Sequence, residues 1–392
     1  AKIGKLSLDF NTITAVQSAT KLPETLDSWI HAELTNEALL NVGQPEQYSR
    51  EDIELYKFGI DPTRPNTDWY DAYLGNGLTQ NSFLNVRQGT ENFTFTGSIG
   101  YYDQQGVLKG TESDKVTYRT RFDSYFLNRK VKFGVALSGY NQGVKELINS
   151  TRSVMGILAA TNPTTFVESL PDEEGTTYYS GQGRYLGAKD FGGGIDRTRK
   201  SLITQYYVQF EPLKGLKAKL TYGNNVNDLE YQRFIPEMFF AGNILGESPS
   251  LALSSLEKSF TRTTNSTLTT TLNYSKRIKK HSVSALLGYE RLERISKFDY
   301  AKVTDLSSNQ PIFDFGDPSS NFLRSTANES STVSYFGRLN YSFNSKYLLE
   351  LNIRRDGSSR FAEENQWGNF PSLSAGWVVS KEKFMESLDY ID

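Results

Sequence analysis

The chain has 392 residues, a formal net charge of -2 and a pI near 6.0, so it lacks the basic excess typical of a nucleic-acid-binding protein. It contains no cysteine and only two histidines, which argues against a disulfide framework, a thiolate zinc site and a histidine-rich metal centre. Mean hydropathy is -0.51 and no run of about 18 apolar residues occurs, so no transmembrane helix is predicted.

The first part of the chain predicts one strand and then short helices. Residues 4–18 alternate between apolar and polar side chains, as strands do. A helix is expected next, with Asp27 as its cap and Gly43 as its stop. Ser49 and Asp52 resemble a capping box for a second helix that ends near Gly59. The apolar residues at helical spacing in the first helix are Leu26, Ile30 and Leu34.

From residue 79 onward the chain repeats a strand pattern. Apolar and polar side chains alternate in segments of about nine to twelve residues, and about twelve strands are expected in all. Their connections alternate between short and long. The short turns include 127–130, 211–215 and 275–280, and the long loops include 141–200, 225–262 and 291–332.

The stretch 335–377 shows this pattern most clearly. It reads YFGRLNYSFNSKYLLELNIRRDGSSRFAEENQWGNFPSLSAGW and predicts three strands, with a turn at 344–346 and a loop at 356–369. One face of its strands is apolar and aromatic, and the other carries Arg, Glu and Asn. A soluble β-sandwich and a membrane β-barrel could both show this alternation. The apolar face forms the core of a sandwich, whereas in a membrane barrel it faces lipid.

Connection lengths favour the barrel. Outer-membrane barrels join their strands by short periplasmic turns and long external loops in strict alternation. Strands of sandwiches are shorter, typically about five to six residues, and their loop lengths need not alternate. The predicted fold class is therefore all-β, a transmembrane antiparallel β-barrel with long extracellular loops that contain short helices.

The same stretch, above all RRDGSSRF and WGNFPS, resembles the central barrel motif of the SusC/RagA-like TonB-dependent outer-membrane transporters of Bacteroidota. Supporting segments are NTDWYD at 66–71, GSIGYYDQQGVLKG at 97–110, AATNPT at 159–164 and EPLKGL at 211–216. The resemblance covers nearly the whole chain. It implies a barrel of about 22 strands in the bacterial outer membrane, filled by an N-terminal plug.

The resemblance also implies partners and an activity. These are a SusD-like surface lipoprotein, TonB–ExbBD acting through the plug, a dimer of transporter–lipoprotein pairs, and import of glycan or peptide oligomers. We expect residues 1–392 to be a partial barrel domain, roughly the first half, with the plug and the remaining strands absent from this chain. A passive outer-membrane porin and a soluble or surface-anchored β-rich carbohydrate-binding protein remain as alternatives.

Candidate site residues fall into two groups. Aromatic rings in long loops can stack on sugars or clamp peptide side chains, although packing on the lipoprotein or on other loops is the alternative. These candidate substrate contacts are Tyr178, Tyr179, Tyr185, Phe239 and Phe240. Polar residues expected to face the lumen and the plug are Arg119, Arg121, Arg338 and Asn352. A charge network inside the rim, with a structural role, is expected from Arg354, Arg355, Asp356 and Arg360.

Nothing in the sequence predicts catalysis. No nucleophile elbow, phosphate loop or zinc-binding H-E-x-x-H occurs, so an enzyme is not expected. Acidic loop clusters lack EF-hand spacing, which favours solvated loops over calcium sites, and neither cofactor nor metal is expected. Those clusters are Asp61, Asp68 and Asp71; Asp172, Glu173 and Glu174; and Asp314 and Asp317.

Overall fold

The computed structural model describes residues 4–168, 178–240 and 250–385. The strands are β1 (Gly4–Gln17), β2 (Gly77–Gly89), β3 (Phe93–Gln105), β4 (Glu112–Phe126), β5 (Val131–Glu146), β6 (Gly194–Leu213), β7 (Leu216–Ile235), β8 (Met238–Phe240), β9 (Ser250–Ala252), β10 (Ser255–Ile278), β11 (His281–Thr304), β12 (Phe322–Phe343), β13 (Tyr347–Ser358) and β14 (Trp367–Trp377). The α-helices are α1 (Ser28–Asn41), α2 (Arg50–Phe58), α3 (Trp69–Tyr73), α4 (Thr151–Leu158) and α5 (Arg184–Asp190). The 3-10 helices are Phe313–Phe315, Pro318–Ser320, Glu363–Asn365, Val379–Lys381 and Lys383–Met385. Within these described ranges, no helix combines the length and apolar character needed to span a membrane.

Twelve of the described strands form one antiparallel sheet whose spatial order follows the chain order. β10 lies directly beside β7, because β8 and β9 pair only with each other in a separate small hairpin. Each strand therefore lies next to the strand before it and the strand after it, and β1 and β14 form the two edges of the described sheet. The predicted antiparallel barrel wall of about twelve strands is confirmed.

The alternation of short and long connections is also confirmed. At one end of the sheet, β4 joins β5, β6 joins β7, β10 joins β11 and β12 joins β13 through turns of two to four residues. Asn344 and Ser345 have φ values of 52° and 55°, as the two central residues of a type I′ turn require. Helices α1 to α5 and the β8–β9 hairpin lie in connections at the opposite end, whereas the 3-10 helices at 379–381 and 383–385 follow β14 at the short-turn end.

Several strands are longer than the nine to twelve residues predicted. β10 and β11 each have 24 residues and pair along their whole length. The predicted loops 225–262 and 291–332 are therefore wrong over much of their length, because strands occupy 225–235, 255–262, 291–304 and 322–332. In these added parts of the strands both faces are largely polar, so the alternation of apolar and polar residues stops. The backbone hydrogen bonds between the strands nevertheless continue.

Helix α1 forms at the predicted place but buries a different side. Its buried residues are Ser28, Ala32 and Asn36, whereas Leu26 and Leu34 of the predicted apolar stripe are about half exposed. The Asn36 amide instead bonds the backbone of Gln47 and Tyr48. Small and polar residues face inward here because another backbone segment packs closely against the helix.

The ends of the first two helices test the predicted caps. Asp27 precedes α1, but its side chain does not cap the helix, and the Ser28 N–H instead donates to Asn66 Oδ1 at 2.8 Å. Ser49 and Asp52 form the predicted capping box of α2. Gly59 ends that helix in the left-handed conformation, φ 61°, as predicted.

Loop segments at the helix-bearing end pack into a hydrophobic cluster, which we call the loop cap. Its buried residues come from α3, α4, α5, β8 and the loops after β3 and β5. They are Trp69, Tyr70, Tyr73, Leu108, Leu147, Ile148, Val154, Leu158, Tyr185, Ala188 and Met238. Four consecutive connections are thus held together by one apolar core above the sheet.

Candidate functional site

The sheet has an exposed apolar face and a polar face. Residues paired across neighbouring strands point to the same side, so the registers assign each side chain to a face. On β12, Tyr335 and Leu339 are 52% and 43% exposed, whereas Ser334 on the other face is 2% exposed. An ordinary soluble domain does not expose so large an apolar surface.

Aromatic rings bound the apolar face at two levels. Near the short turns, the rings of Tyr347 and Trp377 stack with centroids 6.5 Å apart. Toward the loops, the Tyr335 ring contacts those of Tyr289 and Trp367, with centroids at 5.4 and 6.2 Å. Along β12, Tyr335 lies eight residues from Phe343, which is about 27 Å of strand and about 20 Å of height at the usual tilt. This matches the apolar band of an outer-membrane barrel, about 25 Å tall between its aromatic girdles.

The predicted lumen residue Arg121 lies in an ionic cluster on the polar face. Its Nε is 3.2 Å from Asp123, which also accepts a hydrogen bond from the Tyr207 hydroxyl and lies 3.3 Å from Lys132 Nζ. The Tyr207 ring lies over Gly134, where a Cβ would stand only 2.2 Å from the ring. The missing side chain of Gly134 therefore makes room for the tyrosine that holds Asp123.

Arg338 and Asn352 lie opposite each other on the same polar face. Arg338 Nε donates to Asn352 Oδ1 at 2.7 Å, and the Asn352 amide donates to Glu350 at 2.8 Å. The structure also places Arg119 on this face, two residues before Arg121 on β4. The assignment of these side chains to the lumen and the plug stays a prediction.

The arginines of the RRDGSSRF segment divide between the faces. Arg354 bonds Asp356 at 2.7 Å and lies 3.6 Å from Glu290 on the polar face, which agrees with the expected charge network. Arg355 points to the opposite face and lies over the Trp367 ring at 4.9 Å. Its expected place in the network is wrong, because consecutive strand residues point to opposite sides.

The aromatic candidates of the long loops occupy different environments. Tyr185 is 5% exposed and belongs to the loop cap, so for this ring the structure shows the alternative of packing on other loops. Tyr178 and Tyr179 are partly exposed, and the Tyr179 hydroxyl donates to Asp190 at 2.7 Å. Burial and this hydrogen bond raise the pKa of Tyr179 to about 12, so its hydroxyl remains a donor at neutral pH. Phe239 and Phe240 lie in β8, which pairs with β9.

Several acidic candidates have structural roles. Asp68 caps α3 and Asp317 caps a 3-10 helix through backbone N–H groups. Asp61 accepts hydrogen bonds from the backbone N–H and the hydroxyl of Thr63. Asp172, Glu173 and Glu174 lie outside the described residues. Among the described residues, no group of three or more metal-ligating side chains comes together.

Several known proteins are similar to the chain in sequence. No family model matches the chain. The TonB-dependent receptor P26 of Formosa agariphila is 25% identical over 98% of this chain, and SusC of Bacteroides thetaiotaomicron is 24% identical over 86%. The chain covers 37% and 34% of these two proteins, about a third of their length. The reported relatives are receptors and transporters rather than enzymes.

Solved structures show the same fold. The RagAB peptide transporter superposes with a TM-score of 0.77 at 18% identity, covering 98% of this chain and 46% of that chain. The resemblance to SusC/RagA-like TonB-dependent transporters is confirmed. The outer-membrane transporter YddB from Escherichia coli superposes with a TM-score of 0.52 at 10% identity, covering 96% of this chain and 42% of that chain. The outer-membrane localisation predicted for this sheet is therefore confirmed, and contact of its exposed apolar face with lipid stays a prediction.

Sequence reasoning missed the residues that organise the polar face. Tyr207, Gly134 and Glu290 were assigned no role, although each makes a close contact with an ionic cluster. The available signal was a glycine at a polar-face position of a strand. Such a glycine indicates close approach of a neighbouring group, but pairing registers are needed to identify the tyrosine that fills the space.

Proposed function

We propose that this chain is part of the wall of a TonB-dependent importer that carries oligomeric nutrients, glycan or peptide, across the outer membrane. The observation that carries the proposal is a single meandering sheet with an apolar face between two aromatic levels and a polar face rich in paired charges. A polar wall hydrates a lumen and offers hydrogen bonds to whatever fills it.

The proposed partners are those that the resemblance to SusC/RagA-like transporters implies. The loop cap at the external end offers a surface to a SusD-like lipoprotein. Toward the short turns, the polar face holds a plug segment, through which TonB–ExbBD supplies the energy. Two transporter–lipoprotein pairs associate as a dimer. The described residues contribute the wall itself, with helices α1 to α5 in external loops.

The test is uptake by living cells. The intact protein is expressed in its native membrane, and uptake of fluorescent glycan and peptide oligomers is measured with TonB present and with TonB deleted. We expect uptake that disappears without TonB. Uptake that persists without TonB indicates a passive porin, and recovery of the protein in the detergent-free soluble fraction indicates a soluble binding protein.

A further inference from the structure

The polar face of β2 to β5 contains a groove with an uncompensated positive charge. Two adjoining cavities of about 420 and 450 Å³ share Phe83, Gly100 and Thr117, so they form one continuous depression. We call it the β2–β5 groove. It lies on strands whose external ends enter the loop cap through α3, Leu108 and Leu147. The groove therefore lies on the path from the external loops along the wall.

Small residues make the floor and aromatic rings make the walls. A Cβ on Gly100 would lie 2.8 Å from the Phe83 ring, so this ring packs closely against bare backbone. Ser98 and Ser138 continue the floor. Across the groove, Lys115 Nζ lies 4.6 Å from the centre of the Tyr140 ring. Rings with exposed faces offer stacking surfaces to a flat apolar face of a ligand.

Two cations line the groove without a carboxylate. Lys115 lines one cavity and Arg119 the other, and no aspartate or glutamate lines either of them. Neither cation forms an ion pair within residues 4–168, 178–240 and 250–385, whereas nearby Arg121 and Lys132 are both paired with Asp123. An unpaired cation in a concave site attracts an anionic ligand.

Amide side chains complete the groove. Asn81, Asn85, Gln104 and Gln142 line it, and each carries both donors and acceptors. Lys115 and Arg119 lie four residues apart on β4, about 13 Å along the strand. That spacing suits two charges carried by separate units of a short oligomer, with the amides between and around them.

A bound peptide cannot form backbone hydrogen bonds with the strands that make up the groove. β2 to β5 are interior strands, each hydrogen-bonded on both sides, so an extended peptide cannot add to them as a further strand. Rings, amides and cations remain as the binding groups. They match a sugar chain, which presents apolar ring faces, hydroxyl groups and, in acidic glycans, carboxylate or sulfate groups.

We propose that the β2–β5 groove binds an anionic oligosaccharide, with Lys115 and Arg119 contacting its carboxylate or sulfate groups and Phe83 and Tyr140 its ring faces. This names the substrate class within the proposed import function and rests on it. The binding itself needs neither TonB nor an energy source.

The test is calorimetric binding to the intact purified protein in detergent at low ionic strength. The probes are tetragalacturonate, a heparin-derived tetrasaccharide, neutral maltotetraose and tetraglutamate. We expect tetragalacturonate or the heparin-derived tetrasaccharide to bind more tightly than maltotetraose and tetraglutamate. Added salt should weaken that binding. The K115Q/R119Q variant should bind it about tenfold more weakly, a loss of about 1.4 kcal/mol.

Arg294→Gln is the matched control, because Arg294 lies on the polar face of β11, is exposed and lies outside the groove. Its affinity should stay within about twofold of the unaltered protein. If K115Q/R119Q fails to fold, Arg119→Gln alone should weaken binding by about threefold. The proposal is overturned if neither charged tetrasaccharide binds, if maltotetraose or tetraglutamate binds as tightly, or if Arg294→Gln has the same effect. If the charged tetrasaccharide binds but the cells show no TonB-dependent uptake, the result counts against the import function and not against the groove.

Discussion

At the scale of single residues, the absence of a side chain at Gly134 shapes the polar face. The Tyr207 ring occupies the space above Gly134, and its hydroxyl reaches the buried carboxylate of Asp123. Arg121 and Lys132 then gather around that carboxylate. A buried charge is stable only when it is paired and hydrogen-bonded, so the position of one ring supports the whole cluster.

Replacing Gly134 with alanine tests this arrangement. The added Cβ would lie 2.2 Å from the Tyr207 ring, so the ring must move and its hydrogen bond to Asp123 must weaken. We expect the free energy of unfolding to fall by about 1–3 kcal/mol, measured by urea unfolding in lipid vesicles with tryptophan fluorescence.

Gly223→Ala is the control for this prediction. Gly223 also lies in a strand, and the nearest atom to an added Cβ is a backbone oxygen 3.8 Å away. Its free energy of unfolding should change by no more than about 0.5 kcal/mol. Equal effects of the two substitutions would mean that the Tyr207 contact does not stabilise the cluster.

At the scale of elements, helix α2 has the capping box that its local sequence predicts. The Ser49 hydroxyl accepts a hydrogen bond from the Asp52 N–H, and the Asp52 carboxylate accepts from Ser49 in return. Arg64 adds an ion pair at 2.8 Å. The hydrogen bond from the Ser49 hydroxyl and then that from Arg64 hold the pKa of Asp52 below its usual value.

The lowered pKa of Asp52 predicts how α2 responds to acid. A carboxyl group with a lowered folded-state pKa contributes stability above its ordinary pKa of about 4, and that contribution is lost as the pH falls through the lowered value. Amide-exchange protection of α2 should therefore decrease below about pH 4. Asp52→Asn should reduce protection already at neutral pH and remove most of this pH dependence.

Glu54→Gln, an exposed substitution on the same helix, is the control and should leave the pH profile of α2 unchanged. If Asp52→Asn and Glu54→Gln behave alike, the capping box is not the origin of the pH dependence. A loss of protection in the neighbouring sheet would also contradict the prediction, because α2 lies in a loop.

At the scale of the whole molecule, the decisive feature is which face of the sheet meets lipid. The apolar face lies between two aromatic levels, and the polar face carries the ionic clusters and the β2–β5 groove. The absence of cysteine from the sequence allows single cysteines to be introduced without removing any other.

Spin labels at two neighbouring positions of β12 test the assignment of faces. A label at Leu339→Cys should be accessible to oxygen dissolved in lipid, and a label at Arg338→Cys should be accessible to a water-soluble nickel chelate. The expected contrast follows because consecutive strand residues point to opposite faces. Leu351→Cys and Asn352→Cys provide a second pair on β13, and a reversed or equal pattern at both pairs would refute the membrane assignment.

Much of this molecule could be predicted from local pattern. The alternation on β12 and β13, the turn at Asn344 and Ser345, and the capping box of α2 are interactions between residues close in the chain. Each depends on a backbone period or a dihedral preference that the local sequence itself carries. The pairing of strands joined by short turns also followed, because a short connection makes the two antiparallel strands neighbours.

Tertiary structure alone decided the rest. The inward side of α1, the place of Tyr185 in the loop cap and the seat of Tyr207 over Gly134 join residues that are distant in the chain. The sequence determined a membrane sheet with one apolar face. The registers of six strand pairs, from β1–β2 to β6–β7, determined which cations meet a carboxylate and which, as in the β2–β5 groove, do not. The physical reason is that a charge is neutralised by its neighbours in space, and no local pattern specifies the strand pairing across long connections that helps to set those neighbours.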